Sequence, residues 1–192
     1  MGVTFDRDEF LAACRAGLAD GDPRRAIGEV VRRAMTKPSA VGDALRPEQA
    51  GFTLFHHAPD LTVLHVVWAP GMRIYPHDHR MWAIIGIYAG QEDNTFYRRS
   101  LDDGRTLVES GGRELRVGDV VTLGDATIHA VANPRATLTG AVHVYGGDFV
   151  NKPRSQWGPG SMQERPYDIA EARQQFAEAN RAWLRPSPDC TE

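Results

Sequence analysis

The chain has 192 residues, of which 42% are apolar and 24% are charged, and its formal net charge is -3 at pH 7. These values predict a single domain with a substantial core. They argue against nucleic acids and membranes as partners, because the chain has no Lys/Arg-rich run for phosphates and no apolar segment as long as a membrane span.

The two cysteines, Cys14 and Cys190, are too few for a disulfide framework, and the first residues lack the pattern of a secretory signal. We therefore expect a cytoplasmic protein. Neither thiol has a neighbour that marks it as a nucleophile.

A helical leader is predicted for residues 1–47. Asp6 can cap a first helix that runs to about Leu18, and Asp22, which is followed by a proline, can cap a second. A loop that starts at Pro38 is expected to end the leader.

Residues 48–150 contain many short apolar or alternating runs separated by turn residues, which is typical of strands. Asp103 and Gly104 form a hairpin signal between two of these runs. Strands without intervening helices predict an all-β, antiparallel jelly-roll barrel. Residues 151–192 are expected to form a loop and then a C-terminal helix that begins near Asp168.

Two histidines, His77 and His79, lie one residue apart in "PHDH". Alternate residues of a strand point to the same face, so both imidazoles can face one metal ion. Two histidines alone do not define a metal site, and His129 in "TIHAVAN" is the candidate for a third ligand.

The spacing around these histidines resembles the two motifs of the cupin superfamily. In the first motif a glycine, five residues and His-x-His are followed by a later glycine; Gly71 and Gly90 fit it. In the second, a glycine, ten residues, a histidine, three residues and an asparagine are expected. Gly118 and Asn133 fit that spacing around His129. The resemblance implies a cupin double-stranded β-helix with helices at both ends.

Cupins usually supply a glutamate ligand three or four residues after the second histidine, where this chain has Ala83 and Ile84. The resemblance therefore implies a site of three histidines, His77, His79 and His129. Iron(II) is the expected ion, and Zn, Ni or Mn can replace it in a purified sample.

Three-histidine cupins include the thiol dioxygenases, such as cysteine dioxygenase. The "PHDH" segment resembles theirs, and His143 and Tyr145 in "HVY" resemble their His-x-Tyr pair. The resemblance implies that a small thiol and O₂ are the substrates, that the product is a sulfinic acid, and that His143 orients Tyr145 beside the metal.

Three positions depart from that family. Ala141 replaces the serine that begins its Ser-x-His-x-Tyr relay, Ile84 replaces a cysteine that some members link to the tyrosine, and Leu54 aligns with the arginine that pairs with the carboxylate of cysteine. Cysteine is therefore expected to be a poor substrate, because a buried carboxylate without a cation is costly.

Other side chains near the motif are candidates for binding substrate. Arg73 can serve as a relocated carboxylate partner, with Arg98 and Arg99 as alternatives. Met81 and Trp82 are expected to form pocket wall. Asp78, between the two histidines, can hold a ligand imidazole or point to solvent. The spacing of the motifs assigns none of these side chains to its role.

Two other functions stay open at this point. One is a cupin dioxygenase of another substrate class, such as a C–C cleaving enzyme, and the other is a non-catalytic cupin that binds a metal and a ligand. Either a monomer or a homodimer is compatible with the sequence.

Overall fold

The structure is a computed structural model, and it describes residues 4–158 and 163–184. Within these residues the helices are α1 (Arg7–Gly17), α2 (Pro23–Met35), α3 (Pro38–Leu45) and α4 (Ile169–Trp183). The strands are β1 (Gly51–Ala58), β2 (Leu61–Trp68), β3 (Arg73–Asp78), β4 (Ala83–Ala89), β5 (Gln91–Arg99), β6 (Leu107–Arg116), β7 (Val120–Leu123), β8 (Ile128–Ala132), β9 (Thr139–Tyr145), β10 (Ser155–Trp157) and β11 (Glu164–Pro166).

The helix starts follow from their capping residues. The carboxylates of Asp6, Asp22 and Asp168 each accept hydrogen bonds from backbone N–H groups in the first turns of α1, α2 and α4. These three starts agree with the sequence pattern. In the part of the chain that the structure describes, no helix combines the length and apolarity needed to cross a bilayer.

Helix α3 corrects the prediction of a loop from Pro38. This proline occupies the first helical position, where a missing N–H costs nothing, so it begins a helix instead of ending the leader. Val41 of this helix is buried, and Gly42 lies against the ring of Tyr88.

The strands form two antiparallel sheets. The first has the order β1-β2-β9-β4-β7 and the second the order β11-β10-β3-β8-β5-β6. The chain passes from one sheet to the other at each step from β2 to β5, and again at each step from β6 to β10. This alternation is the double-stranded β-helix, so the predicted fold class is confirmed. Within the described ranges the sheets stay separate and do not close into one barrel.

Strands β10 and β11 correct a second prediction, which placed a loop between the barrel and the last helix. They extend the second sheet, and Gln156 pairs with His77 of β3. The Asp103–Gly104 hairpin does occur, because β5 and β6 pair on either side of it.

Two apolar layers follow from this arrangement. One lies between the sheets, where Phe176 of α4 packs against Trp68 and Phe52. The other lies between the first sheet and the leader helices and includes Ile27 and Ile84. The first sheet is therefore covered on both faces, and the space between the sheets is closed at one end by α4.

Cys14 belongs to the second layer, and burial raises the pKa of its thiol to about 12. It is therefore an inert core residue at neutral pH. Cys190 lies outside the described residues.

The glycine that closes the first motif generates a prediction about stability. Gly90 has a φ of +72°, and a Cβ added there would lie 2.2 Å from Thr139 Oγ1 and 2.8 Å from Thr139 Cα. Gly90→Ala should combine left-handed strain of about 1–2 kcal/mol with overpacking of about 1–3 kcal/mol. Urea unfolding measures the resulting loss of unfolding free energy.

Gly104 provides the matched control, since its φ is +65° but nothing lies within 4 Å of an added Cβ. Gly104→Ala should lose the strain contribution alone. Equal losses in the two variants would contradict the idea that crowding by Thr139 fixes Gly90.

Candidate metal centre

Three buried histidines meet between the sheets. His77 on β3 pairs directly with His129 on β8, and His79 follows immediately after β3. One ring nitrogen from each lies within 4.8 Å of the others. The hydrogen-bonded pairing of β3 with β8 therefore brings together His77 and His129, which are 52 positions apart in the chain.

The hydrogen bonds of two rings determine which nitrogen faces the common centre. Nδ1 of His77 donates to the carbonyl of Tyr75 at 2.9 Å, and Nδ1 of His129 donates to Asn94 Oδ1 at 2.6 Å. In both rings Nε2 consequently carries the lone pair that a metal needs.

The donor set fits a metal ion. His129 Nε2 and His79 Nε2 are 3.3 Å apart, and nitrogens bound to one ion at about 2.0–2.1 Å are separated by about 3.0–3.4 Å. His79 Nδ1 is buried without a hydrogen-bond partner in the described chain. The Nε2 lone pairs of His77 and His129 and a ring nitrogen of His79 are therefore arranged as metal ligands are.

Burial keeps all three imidazoles neutral. It lowers the pKa of His77 to about 4, and it holds the pKa values of His79 and His129 well below the usual range, helped by the neighbouring histidines. Neutral imidazole is the form that binds metals, so the site is in its ligating state at pH 7.

No carboxylate joins the histidines among the described residues. Ala83 lies where cupins place their glutamate, and it faces Tyr145 across the ladder of β4 with β9. Asp78 binds elsewhere, because it accepts from Ser155 N at 2.7 Å and pairs with Arg80. Three histidines would leave coordination positions open for substrate.

A cavity of about 50 Å³ adjoins the histidines, which is room for a few water-sized groups. Its wall is mainly apolar and aromatic, and in the described chain it includes neither an acidic residue nor Lys or Arg. The lining residues are Phe52, Leu64, Val66, Trp68, Ile74, His77, His79, His129, Val131, His143, Tyr145, Phe149, Tyr167, Ile169 and Phe176.

The predicted His-x-Tyr pair lies in this wall. Tyr145 OH is 3.1 Å from His143 Nδ1, and the Tyr145 ring is 5.1 Å from that of His79. The ring also stacks on Phe149 at 4.1 Å. Burial raises the pKa of the Tyr145 phenol, which therefore keeps its proton at neutral pH.

A buried carboxylate that the sequence analysis missed lies behind the pair. Glu92 is fully buried, and its Oε2 is 3.4 Å from His143 Nε2, on the side of the ring away from Tyr145. Burial tends to raise the pKa of Glu92, but His143, Asn94 and Trp68 outweigh it and hold that pKa below its usual value. Strand alternation puts residues 92 and 94 on one face, a signal that was available in the sequence.

A buried arginine was also missed. Arg154 is 7% exposed, and its guanidinium carbon lies 4.0 Å from the rings of both Phe149 and Tyr167. Its Nε has no hydrogen-bond partner among the described residues. Burial is the main cause of the lowered pKa values of His77 and His79, and the charge of Arg154 lowers both values further.

The arginines named from the sequence lie elsewhere. Arg73 and Arg98 are exposed, and Arg99 forms an ion pair with Glu164 at 2.7 Å. Leu54 is 48% exposed on β1 and does not line the cavity, so its identity has no direct bearing on the substrate.

The structure does not bring the two predicted wall residues to the cavity either. Met81 is buried between the sheets, where its sulfur lies near Gly147. Trp82 packs on the helix side of the first sheet and against Gly146. Their predicted contact with substrate is not seen in the lining of the cavity.

No family model matches the chain. Among solved structures, a cupin superfamily protein from Desulfitobacterium hafniense DCB-2 is 16% identical, with 54% of this chain and 82% of that chain covered and a TM-score of 0.42. An RmlC-like cupin family protein from Methanocaldococcus jannaschii is 11% identical, with 54% and 84% covered and a TM-score of 0.45. An oxalate oxidase in complex with glycolate is 22% identical, with 53% and 52% covered and a TM-score of 0.40. None of these three is described as a thiol dioxygenase.

The arrangement generates a prediction about metal content. The wild-type chain should retain one divalent ion after loading with Fe(II) under anaerobic conditions and desalting. Alanine at His77, His79 or His129 should weaken binding by more than the roughly 10–100-fold that loss of an outer partner costs. Metal analysis by mass spectrometry measures the stoichiometry.

His57 is the control, because it is exposed and binds Asp148 at 2.7 Å, away from the cavity. His57→Ala should keep the wild-type metal content. If the three alanine variants also kept it, the three histidines would not be the ligands.

Proposed function

We propose that this protein is a non-haem Fe(II) dioxygenase that oxidises a small thiol to its sulfinic acid. In this reaction one thiol and one O₂ give one sulfinic acid, and both oxygen atoms end on sulfur. The observation that supports the proposal most is that one small apolar cavity is lined both by three neutral histidines and by the Tyr145–His143 pair.

The ligand set suits an anionic substrate. Three neutral imidazoles leave the charge of a divalent ion uncompensated, which favours a thiolate. Iron, when bound, would supply the open positions at which a thiolate and O₂ meet and the electrons that activate O₂.

The residues of the chain would position the substrate and exclude water. The protonated phenol of Tyr145 lies 3.1 Å from His143 Nδ1, and it can turn its single hydrogen from that nitrogen to a substrate bound in the cavity. The surrounding aliphatic and aromatic wall keeps bulk water away and strengthens that hydrogen bond.

Arg154 favours a thiol that carries a carboxylate. Its charge lies behind Phe149 and Tyr167, two residues of the wall, where it would attract an anion in the cavity, and its Nε has no hydrogen-bond partner among the described residues. An amino group would find no acidic partner in the lining of the cavity. A mercapto-carboxylic acid without an amine therefore matches the site better than cysteine or cysteamine.

The first test compares thiols. Iron-loaded protein should consume O₂ with 3-mercaptopropionate faster than with cysteine or cysteamine, and should yield one sulfinate per O₂. An oxygen electrode and mass spectrometry of the product measure both quantities. Absence of O₂ uptake with every thiol would refute the proposed function.

Arg154→Met tests the carboxylate preference. Loss of a hydrogen bond to a charged group costs about 1.5–3 kcal/mol, so kcat/KM for 3-mercaptopropionate should fall roughly 10–100-fold. The value for cysteamine should change little. Arg98→Met, which removes an exposed arginine, is the control, and an equal effect of the two changes would speak against Arg154.

A separate prediction concerns the phenol. Tyr145→Phe should keep its iron but lose about 10²-fold in kcat, since one positioned donor is removed while the ring remains. His143→Ala should cause a smaller loss. The chain contains a matched control in Tyr88, whose hydroxyl lies 2.6 Å from His65 Nε2 on the helix side of the first sheet.

Tyr88→Phe removes a buried Tyr–His hydrogen bond of the same kind, at a place that does not line the cavity. It should leave kcat unchanged. If Tyr145→Phe had full iron content and wild-type turnover, Tyr145 would only pack in the wall and would have no role in turnover.

A further inference from the structure

Glu92 contacts donors from three directions. Its Oε2 accepts from Trp68 Nε1 at 2.8 Å and lies 3.4 Å from His143 Nε2, while its Oε1 accepts from Asn94 Nδ2 at 3.0 Å. All four side chains are buried. A carboxylate can only accept, so Trp68 and Asn94 each present a hydrogen to it. The approach of His143 Nε2 is an ion-pair distance without the geometry of a hydrogen bond.

The direction of the hydrogen bond between Asn94 and Glu92 determines which atom Asn94 presents to His129, a candidate metal ligand. Because Asn94 presents its Nδ2 to Glu92, its Oδ1 is the atom that faces His129 Nδ1, at 2.6 Å. An oxygen in that place requires hydrogen on Nδ1 of His129. Nε2 of His129 is then left without a proton, on the side of His79.

We propose that Glu92 is a positioning residue that, through Asn94, determines which nitrogen His129 presents to the metal. The same carboxylate lies 3.4 Å from Nε2 of His143, so its charge favours hydrogen on that nitrogen and leaves Nδ1 as the acceptor that faces Tyr145. One buried group would thus orient both a metal ligand and the His–Tyr pair. This inference rests on the metal site of the proposed function.

Glu92→Gln provides a nearly isosteric test. Glutamine keeps one acceptor oxygen, which should stay where two donors converge, beside Trp68 and His143. Its NH₂ group would then face Asn94 Nδ2, so the Asn94 amide must turn over. That turn places an N–H against His129 Nδ1 and moves the ring proton to Nε2.

Nitrogen NMR of metal-free protein with ¹⁵N-labelled histidine measures this proton position directly. We expect the Nδ1–H form of His129 in the wild type and the Nε2–H form in Glu92→Gln. Zn(II) affinity, measured by competition with a chelator, should fall roughly 10–100-fold. His143 should keep its Nε2–H form, and kcat at saturating iron should stay closer to wild type than in Tyr145→Phe.

Asp93→Asn is the matched control, because Asp93 is the next residue of β5, points to the other face and accepts from Gln91 Nε2. It removes the same charge and should change neither the His129 tautomer nor Zn(II) affinity. Asn94→Ala is the second variant, for the case in which Glu92→Gln does not fold. It removes the acceptor of His129 Nδ1 and should give a mixture of tautomers with weakened Zn(II) binding.

Two results would overturn the inference. One is an unchanged His129 tautomer in Glu92→Gln, whatever its Zn(II) affinity, since the carboxylate would then act only by charge or packing. The other is a changed tautomer with the Zn(II) affinity of Asp93→Asn. Neither measurement involves a thiol or O₂. A wild-type protein that binds Zn(II) but oxidises no thiol would therefore refute the proposed function and leave the inference about Glu92 standing.

Discussion

Polar groups buried between two sheets must find partners without water, and the candidate site is organised by that constraint. An unpaired buried donor or acceptor costs about 1–3 kcal/mol, and a charged one costs more. Hydrogen bonds join Glu92 to Asn94 and Asn94 to His129, and a further one joins His143 to Tyr145. Ring nitrogens of the three histidines converge on one centre, and a metal ion is the partner that suits them.

The same constraint explains why the open side of the site is apolar. In the wall, His129, His143 and Tyr145 bind within this network and His77 binds the carbonyl of Tyr75, while most of the remaining lining is hydrocarbon and aromatic ring. Arg154 lies behind this wall as a buried cation beside two rings, and its Nε has no hydrogen-bond partner among the described residues. Its charge and that of a metal ion would both favour an anion in the cavity.

Sequence patterns were sufficient for the features that depend on local spacing. The capping aspartates mark three helix starts, alternating runs give the β-rich middle, and two motifs bring His77, His79 and His129 together as candidates. These signals are local, because a strand or a cap is determined within a few residues.

Features that depend on distant contacts could not be predicted in this way. Arg154 reaches the site because β10 pairs with β3, and a three-residue strand such as β10 carries no periodic signal. Glu92 lies in "GQEDN", which looks like a solvated turn until the pairing of β5 with β8 buries it. Helix α3 was missed for a local reason, since a proline can begin a helix as well as end one.

Strand β9 has a consequence for how the site opens. It is the middle strand of the first sheet, hydrogen-bonded on both edges, and all seven of its residues are buried. Opening such a strand locally costs more free energy than opening a loop, so His143 and Tyr145 belong to the part of the first sheet that is hardest to open. His79 lies instead in the loop between β3 and β4. The site therefore joins residues of a central strand to a ligand on a loop, and local opening at the loop would separate the three histidines at a lower cost in free energy than opening at β9.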